Sequence, residues 1–345
     1  MEKIRVGVVG ASGYSGGELL RLLLRHPHVE ISSLTSRQYS GQPLGEVFPR
    51  FKGVEKFFEY PDPETLAEQI DVAFLALPNR VASEFAPALL RANVKVLDIS
   101  ADFRLSDPQV YAAFYGGEHP APELLAKAVY GLPELYRAQL SEAQLVACPG
   151  CYPTGAILPL APMLREGMVE PSRICVTSMS GVTGAGRKSR LPLLFGECNE
   201  SMRAYQPVGH RHQPEIEEQL GKVAGLASVR LSFVPHLMPV SRGIISTIYA
   251  PHAEGVTAEQ ANAALVDAYE QEPFVRVLET ENELPDTKHV TMTNVCEISC
   301  SYDERTGQLI LNSAIDNLTK GAAGQAIQAM NALQGMSEKE GLEYV

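Results

Sequence analysis

The feature that most restricts this chain lies at its start. Ile4–Val9 is an apolar run that stops at glycine, and Gly10-Ala11-Ser12-Gly13-Tyr14-Ser15-Gly16 then leads into a helical pattern over residues 17–25. Strand, small-residue turn and helix in that order let a backbone approach a pyrophosphate and offer it the N–H groups of a helix N-terminus. The spacing is G-x-x-G-x-x-G, not G-x-G-x-x-G, so the glycines alone also fit a plain tight turn. The order of elements is what points to a dinucleotide, and Gly10, Ser12, Gly13, Tyr14, Ser15 and Gly16 are read as its contacts.

Such a unit needs further parallel strands. Short apolar runs at residues 29–34, 72–77 and 94–99, with helical patterns between them, predict a doubly wound sheet. The second run is followed by Ser36-Arg37, where an acidic residue would hold a ribose 2'-hydroxyl and an arginine would accommodate a 2'-phosphate. Ser36 and Arg37 favour NADP; the plain alternative is a surface arginine in a loop. Pro78 opens the loop at the carboxyl end of the 72–77 run, where sheets of this kind bind ligand. Beyond Cys151 the apolar runs lengthen (173–179, 229–234, 244–249, 291–301 and 308–315), and a second domain with a mixed or antiparallel sheet is expected. Residues 320–333 read as a terminal helix. The fold class is therefore α/β, a Rossmann-type dinucleotide-binding domain plus an α+β catalytic domain.

The chain of 345 residues carries 29 Lys and Arg against 41 Asp and Glu, a net charge of -12. That sign argues against nucleic acid or an anionic membrane as partner, and an anionic ligand must be met by local cations. Residues 143–164 lack charged side chains, but Pro149, Pro153, Pro159 and Pro162 disqualify them as a membrane helix. The N-terminal residues hold no signal-peptide core, so a cytoplasmic protein is expected.

Six cysteines without regular spacing do not make a disulfide framework. Cys151 follows Cys148-Pro149-Gly150 on a turn entering the apolar run 156–164, and a thiol there would feel the helix N-terminal field that stabilises a thiolate. It is the candidate nucleophile. Cys148 and Cys151 could also form a redox dithiol, or half a zinc site, but the only second pair, Cys296 and Cys300, has strand-like spacing, and no metal is expected. Cys175, Cys198, Cys296 and Cys300 read as small buried hydrophobes. A thiolate needs a proton partner. His210 and His212 flank Arg211 just before Pro214, on a loop entering a helix, and either can be the acid/base.

Seven segments, taken together, resemble the N-acetyl-gamma-glutamyl-phosphate reductase family of arginine biosynthesis, a relative of aspartate-semialdehyde dehydrogenase. They are residues 10–19, Asp98-Ile99-Ser100-Ala101-Asp102-Phe103-Arg104, 130–134, Pro149-Gly150-Cys151-Tyr152-Pro153-Thr154, 180–187, Gly209-His210-Arg211-His212 and 316–326. The resemblance implies that the Cys151 thiolate attacks an acyl phosphate and expels phosphate, that NADPH reduces the resulting thioester, and that His210 or His212 carries the proton. Arg104, Arg187, Arg211 and Arg242 become candidates for the phosphate, Gly184 and Gly186 for a stretch near the nicotinamide, and Asn317 for the carboxamide. It also implies an NADP-binding domain over 1–150 and 316–345, a catalytic, substrate and oligomerisation domain over 151–315, and a homo-oligomer, dimer or tetramer, built on the second-domain sheet. The same chemistry on aminoadipyl or aspartyl phosphate is the near alternative, because one methylene is worth only about 1–3 kcal/mol to a pocket. A non-catalytic NADP-sensing thiol switch is the distant one. The family usually has Asn where this chain has Cys148.

Overall fold

The computed structural model describes residues 2–279 and 283–343. The chain forms two compact units, Met1–Pro149 with Ala322–Val345, and Gly150–Gly321.

In the first unit, β1 (Ile4–Val9), β2 (Val29–Thr35), β3 (Val72–Leu75), β4 (Lys95–Asp98), β5 (Ala128–Tyr130) and β6 (Leu145–Ala147) form a six-stranded sheet in the order β2-β1-β3-β4-β6-β5. Every neighbouring pair is parallel. The inner strand β3 is a continuous apolar run with all four residues buried, as a strand covered on both faces should be. The order reverses at β1 and β3, the switch point at which such sheets take ligands. The first helix, Tyr14–Leu23, starts ahead of the predicted 17–25 because Gly13 supplies the extended N-cap backbone. The terminal helix, Gly324–Leu333, belongs to this unit and buries a polar stripe three residues apart. Gln325 Nε2 donates to the Gly131 carbonyl (3.1 Å), Gln328 Nε2 to Glu134 Oε1 (2.9 Å), and Asn331 Oδ1 lies 3.0 Å from His26 Nε2. The buried stripe is thus largely paired, with Gln325 Oε1 left without a hydrogen-bond partner.

In the second unit, β7 (Ile174–Gly181), β8 (Arg203–Ala204), β9 (Leu231–Met238), β10 (Ile244–Pro251), β11 (Val275–Val277), β12 (Cys296–Asp303) and β13 (Gln308–Ile315) form a sheet in the order β11-β12-β13-β10-β7-β9-β8. It is mixed: β7/β9 and β11/β12 run parallel, the other pairs antiparallel. Two expectations are corrected. The run 291–301 becomes strand only at Cys296, because Asp286 caps a helical turn, Thr287–Val290, by accepting the Lys288 N–H at 2.8 Å. Cys175 is exposed, not buried, since the alternation along β7 turns it away from the helix-covered face. The helix Ala258–Tyr269 escaped the sequence reading although Thr257 and Gln260 form a full capping box.

The helix Cys151–Arg165 packs on β10 and β13 despite containing Pro159 and Pro162. Each proline removes the N–H that would bond the carbonyl four residues back, orphaning Gly155 and Leu158. Both carbonyls have replacement donors. Ser313 Oγ, on β13, donates to the Gly155 carbonyl at 2.6 Å, and Tyr269 Oη donates to the Leu158 carbonyl at 2.6 Å. Gly155 also lets the helix come close, since a methyl there would lie 3.3 Å from Ser313 Oγ and 3.5 Å from Ser246 Oγ. Tyr269→Phe, which removes only the hydroxyl, should cost about 1–3 kcal/mol by leaving a buried carbonyl unpaired. Urea unfolding followed by far-UV circular dichroism measures it, and an unchanged midpoint would contradict this account of the prolines.

Candidate active site

The glycine turn is shaped by crowding. Gly10 has φ +83°, and a side chain there would run into the Ala76 carbonyl oxygen. A methyl on Gly16 would lie 2.6 Å from the Ala11 Cα, so the first turn of the helix Tyr14–Leu23 sits directly on the turn. Gly10 and Ala11 donate their N–H groups to the Thr35 carbonyl (3.2 and 3.0 Å), which ties the turn to the end of β2. Ser12 Oγ lies 2.9 Å from the buried Ser36 Oγ. Arg37 is exposed and faces Glu84 at 3.7 Å, a solvated pair that holds it weakly. Tyr14 and Pro78 are exposed, and Gly13 and Ser15 half-buried. The loop that Pro78 opens is fixed by a buried carboxylate: Asp102 accepts the Arg80 N–H (2.5 Å), the Ser83 N–H (3.0 Å) and the Ser83 hydroxyl (2.9 Å).

The segment leading to the cysteine is anchored in the same unit. Arg104 is buried, and its guanidinium donates to the Cys148 carbonyl (2.8 Å) and the Ile99 carbonyl (2.9 Å). Burial, then the charge of Asp102, pushes the Asp98 carboxyl up to about 7. Cys148 has no exposure, and burial, reinforced by Asp98, pushes its thiol far above the ordinary range. A thiol kept protonated in the core acts as a small apolar filler. All six cysteines are free thiols.

In the second unit, Cys151 is the first residue of its helix, half-exposed, behind the extended cap residue Gly150. The Gly150 N–H is held by Glu215 Oε1 at 2.8 Å; Glu215 is fully buried in the first turn of the helix Gln213–Ala224. Next to the cysteine, the Tyr152 ring is the hub of an aromatic cluster. It lies 5.8 Å from the rings of both His210 and His212 and 5.3 Å from Phe233, and its hydroxyl is 2.7 Å from that of Tyr205. Burial raises the Tyr205 hydroxyl to about 12, with Cys151 acting in the same direction, so it stays protonated.

The two histidines differ. His210 Nδ1 accepts the His212 N–H at 3.2 Å, which in a neutral ring leaves the proton on Nε2. Burial, then Arg211, lowers its pKa to about 4. His210 is thus a neutral N–H donor at pH 7. His212, also buried, stands as the cap residue of the helix Gln213–Ala224.

Asn317 is buried: its Oδ1 accepts the Gly243 N–H (2.9 Å) and its Nδ2 donates to Thr183 Oγ1 (2.9 Å), next to exposed Gly184 and Gly186. Arg242 pairs with buried Asp316, Nε to Oδ2 at 3.0 Å, and its Nη2 donates to Thr319 Oγ1 at 3.1 Å. Arg187 and Arg211 are exposed. Among the described residues, no group of three or more His, Cys, Asp or Glu is placed to hold a metal.

Residues 5–143 match the family model for the semialdehyde dehydrogenase NAD binding domain, and residues 151–317 that for the semialdehyde dehydrogenase dimerisation domain. An N-acetyl-gamma-glutamyl-phosphate reductase of Akkermansia muciniphila is 51% identical over 99% of both chains, and one of Desulfotalea psychrophila 49% over 99% of both. The chain belongs to the N-acetyl-gamma-glutamyl-phosphate reductase family. At the level of fold alone it is similar to aspartate semialdehyde dehydrogenase II of Vibrio cholerae, with a TM-score of 0.74, 18% identity and 97% of this chain covered. The enzyme of Candida albicans, solved with NADP, gives 0.72, 15% and 96%.

Of the predicted site residues, Gly10 to Gly16, Ser36, Arg37, Pro78 and Arg104 lie in the first unit, and Cys151, Gly184, Gly186, Arg187, His210, Arg211, His212, Arg242 and Asn317 in the second. Glu215, Tyr152, Tyr205 and Asp316 escaped the sequence reading. Glu215 alone carried a signal, an acidic residue just after Pro214 in a first helical turn. The ring protons of His210 should titrate by NMR with a midpoint about 4. Because an unfolded histidine titrates near 6.5, its contribution to stability is present above that pH and lost as pH falls toward 4. A midpoint near 6.5 would remove the burial argument.

Proposed function

We propose that this chain reduces N-acetyl-gamma-glutamyl phosphate with NADPH, yielding N-acetyl-glutamate semialdehyde and phosphate in arginine biosynthesis. The observation that carries this reading is the match to reductases of that name over 99% of both chains. Gly10 to Gly16 and the N-terminus of the helix Tyr14–Leu23 would hold the pyrophosphate, on a turn that any side chain on Gly10 would push off the Ala76 carbonyl. Ser36 and Arg37 would take the 2'-phosphate, with Pro78, Gly184, Gly186 and Asn317 as further contacts. When bound, NADPH supplies the hydride that reduces a thioester carbonyl.

The chain's own residues do the rest. The Cys151 sulfur attacks the acyl carbon, the C–O bond to phosphate breaks, and a thioester forms. His210, neutral with its proton on Nε2, is suited to donate a hydrogen bond to the carbonyl oxygen as charge develops there. That leaves His212 as the group that takes the thiol proton and returns it when the thiohemiacetal collapses. Phosphate is met by cations drawn from Arg104, Arg187, Arg211 and Arg242. Arg104 and Arg242 are already oriented by chain groups, and Arg187 and Arg211 are exposed to an incoming anion.

Aspartyl and aminoadipyl phosphates call for the same steps, and relative rates with the three substrates separate them. A homo-oligomer, dimer or tetramer, fits the face of the second-unit sheet that carries exposed Cys175 and Tyr249, the latter 45% exposed. A cytoplasmic setting fits six free thiols. Among the described residues no helix is long and apolar enough to cross a membrane.

Two substitutions test the reading. Cys151→Ser should keep NADP binding and lose at least about 10³-fold in turnover, because a hydroxyl forms no thioester. Near-normal steady-state rates would exclude Cys151 as nucleophile. Arg37→Ala should weaken NADP binding by roughly tenfold, about 1.4 kcal/mol, and leave NAD binding unchanged. Equal losses for both cofactors in titration calorimetry would withdraw Arg37 from the 2'-phosphate.

A further inference from the structure

The segment after β13 makes a contact that neither the family match nor the proposed chemistry assigns. The Gly321 Cα packs against the nucleophile itself: a methyl on Gly321 would lie 2.8 Å from the Cys151 Cβ and 3.2 Å from its Cα. The backbone of Gly321 does not have positive φ, so it is space, not conformation, that requires glycine. Residues 316–321 have little freedom to yield. Gly321 donates its N–H to the Asp316 carbonyl at 2.9 Å. The Asp316 carboxylate, itself fully buried, accepts the N–H groups of Leu318 (2.8 Å), Thr319 (3.1 Å) and Met292 (2.6 Å) and pairs with Arg242. Asn317 is held at both ends of its amide. On the opposite side Cys151 is the first residue of its helix, and the preceding N–H is gripped by Glu215.

We infer that Gly321, on the segment clamped by Asp316 and Arg242, is a positioning residue for Cys151: it is the wall that sets where the thiol sits at the head of its helix. The chemistry it serves rests on the thioester reading above, but the contact can be tested without it. Displacing a nucleophile by about 1 Å is enough to cost on the order of 10²-fold in rate. A cysteine pushed off the helix axis also loses part of the field that stabilises its thiolate.

The test is Gly321→Ala, read first by the rate at which iodoacetamide alkylates Cys151 as a function of pH, followed by mass spectrometry. The variant should alkylate at least roughly tenfold more slowly at pH 7, with its pH midpoint moved up. It should lose on the order of 10²-fold in kcat with KM for the acyl phosphate changed less than about threefold, and bind NADP as the parent does. Alkylation at or above the parent's rate, with an unmoved midpoint, would overturn the inference. If the variant does not fold, hydrogen–deuterium exchange on the parent protein decides. Carboxamidomethylation of Cys151 should change exchange in the peptide spanning 316–323, and no change there would overturn the inference as well. Failure of the parent to reduce N-acetyl-gamma-glutamyl phosphate would sink the proposed substrate and leave the alkylation result standing.

Discussion

The second unit depends on how one unpromising helix is seated. A helix with two internal prolines loses two backbone hydrogen bonds, and in a buried setting each orphaned carbonyl costs about 1–3 kcal/mol. Ser313 and Tyr269 remove that cost by donating to the Gly155 and Leu158 carbonyls. These bonds also register the helix against β13 and against the helix Ala258–Tyr269. The prolines therefore turn a generic packing surface into one with two fixed points. Cys151 stands at the head of this helix, so its position follows from bonds made one and two turns further along.

Around that head the chain supplies fixed partners. Glu215 holds the N–H of Gly150, the Tyr152 ring packs against both histidines, and Gly321 closes on the cysteine from the segment that Asp316 organises. The first unit uses the same device at its own switch point, where buried Asp102 holds the loop after β3 and Arg104 holds the Cys148 carbonyl. In each unit one buried carboxylate gathers several N–H groups, a stable arrangement because the charge is met by directed hydrogen bonds. The shape of these loops is set by hydrogen bonds within the chain.

Much of this was legible because it is written in local pattern. The glycine turn follows an apolar run and precedes a 3.6-residue period, so a parallel unit could be read from Ile4 to Gly16. Long alternating runs at 244–249 and 308–315 announced the mixed sheet. Ends were less legible: 291–301 looks like one strand until Asp286 is seen to cap a turn ahead of it. Cys175 looks like core because cysteine usually is, and only the register of β7 against β10 shows which face it takes.

The sequence by itself determined the two kinds of sheet, the dinucleotide-type turn, the cysteine and its two candidate histidines, because each depends on neighbours within a few residues. Tertiary structure alone decided how the members of the set differ. His210 became a neutral donor because the His212 N–H occupies its Nδ1 and burial resists its charging. Cys148 became filler while Cys151, three residues on, stayed half-exposed, because one is enclosed by the core of the first unit and the other heads a helix. Arg242 was drawn to Asp316, 74 residues away in sequence, and Gly321 to Cys151. Contacts of that separation leave no periodic trace in a single sequence, since their partners are chosen by which elements pack together and not by which residues are adjacent.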